Sequence, residues 1–248
     1  MRNFLIPPQR NRAELLDLGR GSAAEVRRSL HDIQRINTYL GGSRISIVGT
    51  FELLKQSGLT CATVLDVGSG IADIPARLIQ IGARRGIQIQ AVALDNNRRH
   101  LRLAQQEMAA SNRNAAKVLL CGGDAFRLPL RDQSVDIVVS TLFLHHFRAP
   151  QIGALLREFA RVSRVGFVMN DQVRNRVPLA FFRLSGPIFA RSYLTRLDGA
   201  ASIRRAYTVE EMAKIVAVNG PRGAIVHAHF PYRLSVTWQR ESERSSGQ

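Results

Sequence analysis

The 248-residue sequence predicts a doubly wound α/β fold built on a seven-stranded, mostly parallel sheet. Three observations predict it. Short apolar, β-branched runs alternate with segments whose apolar residues recur at helical spacing. A glycine turn, Gly68-Ser69-Gly70, joins the first such run to a helix. The chain closes on two alternating runs separated by Phe-Pro-Tyr, the signature of a hairpin.

Taken in order, the elements begin with a helical cap. Val26, Leu30, Ile33, Ile36 and Leu40 share one face of a helix over 23–40, which Gly41-Gly42 stops. A shorter helix follows around 51–54. Strands are predicted over 63–67, 87–94, 117–121, 135–140 and 165–170, with helices over 73–83, 98–110 and 151–161 between them. Right-handed crossovers then make the sheet parallel. Residues 172–206 break the rhythm and read as an insertion after strand five, rich in Arg, Phe and Pro. Thr208 followed by Glu211 is a capping box that opens another helix. Strands 224–229 and 234–238 end the sheet. The chain thus divides into a helical cap (1–57), a sheet domain (58–240) with its insertion, and a frayed tail (241–248).

Hydrophobic residues make up 45% and charged residues 22%, as in ordinary globular proteins. The net charge of +16 rests almost wholly on arginine, since only Lys55, Lys117 and Lys214 are lysines. The arginines are scattered rather than gathered into a stripe. An arginine-biased surface is the first reading, attraction to an anionic membrane or acidic substrate the second, and RNA the third. No signal peptide and no membrane-spanning run is expected, and the richest apolar stretch is broken by Arg183, Gly186 and Pro187. Cys61 and Cys121 are expected as buried free thiols of a cytoplasmic protein.

Asp73 decides which cofactor the glycine turn can hold. A dinucleotide fingerprint needs a small residue there, because the pyrophosphate sits on the helix N-terminus. A carboxylate suits the macrodipole but repels phosphate. Gly68, Gly70 and Ala72 instead satisfy G-x-G-x-G/A. With Asp66 before the turn, VLDVGSGIA resembles motif I of the class I S-adenosylmethionine-dependent methyltransferases, whose cofactor carries a sulfonium. AVALDNN delivers Asp95 and Asn96 at a strand end, where an acid can accept both ribose hydroxyls. Gly123-Asp124-Ala125 follows the third strand. The LPL-x-D-x-S-x-D-x-V-V run from Leu128 to Val139 is similar to the ubiquinone and menaquinone biosynthesis methyltransferases and their small-molecule relatives. The resemblance, from about Gly58 to Trp238, implies a Rossmann-like fold with an antiparallel last strand. It also implies an S-adenosylmethionine site at Asp66, Gly68, Ser69, Gly70, Asp95, Asn96, Asp124, Ala125 and Ser140. Asp136 is read as the polar start of a buried strand.

The same resemblance puts the acceptor beside STLFLHHF, after the fourth strand. His145 is the candidate general base, with His146 as alternative, because histidine titrates near neutrality. One histidine packing beneath the cofactor and the other standing as a solvated helix-entry residue explains the pair at least equally well. Arg35, Thr38 and Tyr39 are placed near the cofactor's carboxylate, the insertion with Phe181, Phe182 and Phe189 as an apolar lid, and Arg204, Arg205 and Tyr207 as an anion clamp or phenol donor. No metal is expected: the acid that catechol-type enzymes carry after strand four is replaced by Ser140, and His227 and His229 lack a third ligand. The function implied is methyl transfer to oxygen or carbon of a hydrophobic phenolic, quinone or polyketide-type small molecule. An RNA acceptor and a non-catalytic, cofactor-binding regulatory subunit are the alternatives. The 6% aromatic content and scattered arginines count against nucleic acid.

Overall fold

The computed structural model describes residues 5–110 and 118–241. Lys117, expected to open the third strand, and the tail from 242 lie outside the described residues. β1 (Cys61–Val67), β2 (Gln88–Asp95), β3 (Val118–Gly122), β4 (Val135–Thr141) and β5 (Ser163–Gln172) are joined as parallel neighbours. β6 (Ile225–His229) and β7 (Arg233–Gln239) form the closing hairpin. The order across the sheet is β3-β2-β1-β4-β5-β7-β6, with β7 inserted antiparallel beside β5. This is the expected α/β architecture, with most boundaries within about two residues of those predicted.

Alternation along the central strands sends side chains to two apolar layers. Leu65, Val67, Val138 and Phe167 meet α5 (Ala149–Val162) and α8 (Val209–Asn219) on one face. Val64, Ile137, Val139 and Val168 meet α2 (Gly42–Ser57) and α3 (Asp73–Arg84) on the other. The capping box of α8 is present in both directions, Thr208 to the Glu211 amide and Glu211 back to the Thr208 amide. α4 (Arg98–Ala110) has the predicted bounds.

Two stretches differ from expectation. The short helix around 51–54 is the end of the sixteen-residue α2. Gly41 does end α1 (Ala23–Tyr39) in a left-handed turn, φ +77°, but Gly42 already begins the next helix. Burial of small polar residues, Ser43, Ser46 and Thr50, hides the inward face from a hydrophobic pattern. Gly49 lets α2 lie close on β5, since a Cβ there would stand 2.9 Å from the Val168 side chain. The insertion is two helices, α6 (Arg176–Phe189) and α7 (Tyr193–Arg205), each capped by a side chain, Asn175 and Ser192. Cysteine burial also differs: Cys61 opens β1 and is exposed, and Cys121 is half-buried, both as free thiols. Among the described residues no helix is long and apolar enough to cross a membrane.

Candidate active site

The carboxyl ends of β1, β2 and β4 converge on one large cavity of about 1320 Å³. Its floor is the β1–α3 turn. The amides of Gly68 and Ser69 donate to the Leu94 carbonyl at 2.9 and 3.1 Å, pinning the turn to β2. Gly68 has φ +72°, and a Cβ there would lie 2.5 Å from the Phe143 ring, so only glycine fits. The Gly70 amide donates to Asp95 Oδ2 at 3.0 Å, and the Asn97 amide to Asp95 Oδ1 at 2.8 Å. Asp95 is thus aimed by backbone donors on both oxygens. Ser69, Asn96, Asp124 and Ala125 also line the cavity. Asp66 and Ser140 do not: Asp66 is buried under the turn, and Ser140 Oγ donates to the Val67 carbonyl at 2.7 Å, tying β4 to β1.

This floor is poor in positive charge. Burial pushes the Asp66 carboxyl well above the usual range, and the charges of Asp73 and Asp95 push it the same way. Asp73 is also raised by burial, only partly offset by Arg77. Asp73 Oδ2 and Ser69 Oγ are buried without hydrogen-bond partners. Crowded carboxylates and orphaned acceptors suit a ligand that brings cationic groups and donors, as the ammonium and sulfonium of S-adenosylmethionine would. Cation binding needs the ionised acids, so affinity is lost as pH falls through their raised pKa values. Calorimetry over a falling pH series should show affinity for S-adenosylmethionine dropping as these acids take up protons, by up to about tenfold per pH unit per proton. A flat profile would refute the role of these acids.

Beyond the floor the cavity widens under α6 and α7. His145, in the 3₁₀ turn Leu144–His146 after β4, is buried. Its backbone amide donates to Asp171 Oδ2 at 2.8 Å, and its Nδ1 lies 2.8 Å from Asp171 Oδ1. Its Nε2 lies 3.4 Å from Glu14 Oε1. Burial would lower the imidazole's pKa, but the charge and hydrogen bond of Asp171, joined by Glu14, raise it to about 10. His146 is held at Nδ1 by Asp17 Oδ2, 2.8 Å away. Glu14, Asp17 and Asp171 are the residues that sequence patterns missed as site groups. Asp171, inside β5 at its carboxyl end, could have been found as the acid just after the predicted strand 165–170; no local signal marks the two N-terminal acids.

Several sequence-predicted contributors are spent elsewhere. Arg205 pairs with Asp17 at 3.4 Å and Glu14 at 3.6 Å, and donates to the His146 carbonyl at 2.8 Å. The Tyr207 hydroxyl donates to the Phe147 carbonyl at 2.8 Å. These two brace the histidine turn rather than clamp an anion. Arg204 is a neighbour of Arg10 and Arg183, whose charges together with burial lower its pKa. Arg35 pairs with Asp32 and donates to the Phe189 carbonyl, fastening α1 to the lid, while Arg77 reaches Thr38 Oγ1 at 3.2 Å. Tyr39 stands at the rim, 85% exposed. Asp136 accepts from the Thr63 amide and from Arg164, a structural role. His229 meets Ser235 Oγ at 2.8 Å on the outer hairpin.

Glu14, His145 and His146 bring one potential metal-ligand atom each to within 4.8 Å of one another, a set the sequence expectation of no metal did not include. Arg205 already supplies a cation beside Glu14. Turnover is therefore expected to survive prolonged chelation unchanged. Loss on chelation with recovery on adding a divalent ion would reassign these residues as ligands.

Residues 64–166 match the family described as methyltransferase domain. Among curated proteins none matches the chain. The fold is similar to that of an S-adenosylmethionine-dependent methyltransferase from Aquifex aeolicus, with 20% identity, 83% of this chain and 97% of that one covered, and a TM-score of 0.55. It is also similar to magnesium protoporphyrin IX methyltransferase from Synechocystis PCC 6803 with bound S-adenosylhomocysteine, with 16% identity, 81% and 84% covered, and a TM-score of 0.54. The plantazolicin methyltransferase BpumL in complex with S-adenosylhomocysteine shares 13% identity over 88% of this chain and 96% of its own, with a TM-score of 0.60.

Proposed function

We propose that this chain, whose residues 64–166 match a methyltransferase domain, is a class I S-adenosylmethionine-dependent enzyme that methylates oxygen or ring carbon of a lipophilic phenolic small molecule. The observation that carries this reading is the pairing, in one cavity, of a buried His145–Asp171 couple with an apolar wall that includes Phe181, Phe182 and Phe189. Gly68, Ser69, Gly70, Asp95, Asn96, Asp124 and Ala125 would hold the cofactor, with Asp66 acting from beneath the turn and Ser140 only through the backbone of β1. The cofactor supplies the electrophilic methyl group; the protein supplies orientation, dryness and control of the acceptor's proton.

Asp171 occupies Nδ1 of His145, so Nε2 is the atom left to face an acceptor, which displaces Glu14 from it. A phenol ordinarily titrates near about 10, matching the imidazole's value of about 10. With the imidazole held protonated, the acceptor binds as a phenolate that has left its proton to solvent before docking, so His145 serves as its positive partner rather than as the general base expected. Oxygen or ring-carbon nucleophiles both gain from that charge.

The lid also bears on how the acceptor arrives. Val177, Phe181, Leu184 and Ile188 recur at i, i+4, i+7 and i+11 of α6 and are all exposed, Val177, Phe181 and Ile188 while also lining the cavity. Residues 175–197 contain four arginines and no acid. Such a surface favours transient contact with an anionic membrane and access for a lipophilic acceptor.

The test is acceptor binding to the S-adenosylhomocysteine complex at low and high salt. A long-chain alkylphenol is expected to bind with weak salt dependence. RNA binding that falls with a log-log slope of about −0.7 per phosphate contact, together with no phenol binding, would overturn the small-molecule reading.

A further inference from the structure

Arg233, the first residue of β7, is 4% exposed and lines the acceptor half of the cavity. Its Nη1 is buried and, among the described residues, has no hydrogen-bond partner. A guanidinium nitrogen buried without a partner is costly, because it forfeits hydration and gains nothing in return. Burial lowers its pKa to about 10, with the charge of Asp171 acting the other way. That charge is all Asp171 offers: its oxygens already accept from His145 Nδ1, the His145 amide and the Gln172 amide. Asn37 Oδ1, also on the cavity wall, is buried and unpartnered too. Gly42 keeps this corner open, since a Cβ there would lie 1.9 Å from Asn37 Oδ1 and 3.0 Å from Arg233 Nη1.

We infer that Arg233 is the anion-recognising residue of the acceptor pocket, and that the acceptor is a phenolic carboxylic acid whose carboxylate it binds. A carboxylate matches the planar donor fork of a guanidinium and restores the hydrogen bond and the countercharge together. His145 and Arg233 both fall within the field of Asp171, so the acceptor's hydroxyl faces one cation and its carboxylate the other. This rests on the lipophilic phenol reading and adds to it the acid group that selects among such phenols. No bond to the carboxylate is made or broken: the methyl still goes to the phenolate, and the acid serves only to hold the ring.

The test compares a 3-alkyl-4-hydroxybenzoate with the same alkylphenol lacking its carboxylate. Wild-type kcat/KM is expected to favour the acid by tenfold or more. Arg233→Gln should lower kcat/KM for the acid about a hundredfold and for the neutral phenol far less, with Arg233→Lys recovering part of the preference. Equal wild-type kcat/KM for the two, or an equal loss on both in the variant, would overturn the assignment. Calorimetry of both compounds on the wild-type S-adenosylhomocysteine complex reads the subsite without turnover and without a variant. Tighter binding of the acid with no methylation of either compound would keep the subsite and refute the proposed reaction; equal affinities would overturn the subsite even if both are methylated.

Discussion

His145→Ala lowers turnover on a phenolic acceptor by about a hundredfold or more, while affinity for S-adenosylmethionine stays at the wild-type value. The expectation follows from position: His145 is buried in the turn after β4, its Nδ1 is occupied by Asp171, and it has no hydrogen bond to the residues of the cofactor floor. Alanine removes the positive partner of the phenolate but leaves the β1–α3 turn and Asp95 in place. Asp171 acts through His145, and its substitution separates positioning from mere packing. Asp171→Asn removes the charge that raises the imidazole, so burial pulls its pKa down. The alkaline limb of kcat/KM then moves to lower pH, because the imidazolium is lost earlier as pH rises. A His145→Ala enzyme with wild-type turnover would show that the ring only packs against His146, whose centroid is 4.2 Å away.

The second large effect is on the cofactor. Asp95→Ala should weaken S-adenosylmethionine binding by about ten- to a hundredfold, the loss expected when hydrogen bonds to a charged acceptor, each worth about 1.5–3 kcal/mol, are removed. Two contributions combine. The ribose hydroxyls lose their acceptor, and the Gly70 and Asn97 amides lose the carboxylate that orders the turn. Asp95→Asn keeps the shape and one oxygen, so it should lie between wild type and alanine. Calorimetry with S-adenosylhomocysteine checks the series; affinity unchanged in Asp95→Ala would remove this residue from the cofactor site.

What the sequence made legible follows from the range of the signals. The β1–α3 turn is a local motif, with Gly68, Gly70 and Ala72 at left-handed angles within five residues, and it could be read directly. The strands announced themselves by apolar runs because both faces of the sheet are covered. α2 was seen only at its end because its buried face carries Ser43, Ser46 and Thr50, and because Gly41 and Gly42 belong to different sides of one sharp turn. The acceptor half was least legible. His145 stands next to a readable strand end, but Asp171 and Glu14 reach it only after the chain has folded, from β5 and from the N-terminal segment. Arg205 and Tyr207 were misread for the same reason: their chemistry suited an anion clamp, yet both point back to the histidine turn. Arg233 gave no signal, since a basic residue opening a strand is indistinguishable in sequence from a surface arginine.

The central claim, methyl transfer to a lipophilic phenolic acceptor, is tested most directly by incubating the protein with S-adenosylmethionine carrying an isotopically labelled methyl group, in separate reactions with alkylated phenols and with total RNA. The account predicts label in an organic-extractable product, located by mass spectrometry on the phenolic oxygen or ring carbon, and lost in His145→Ala. Label confined to RNA, or tight cofactor binding with no labelled product from any acceptor, would contradict it.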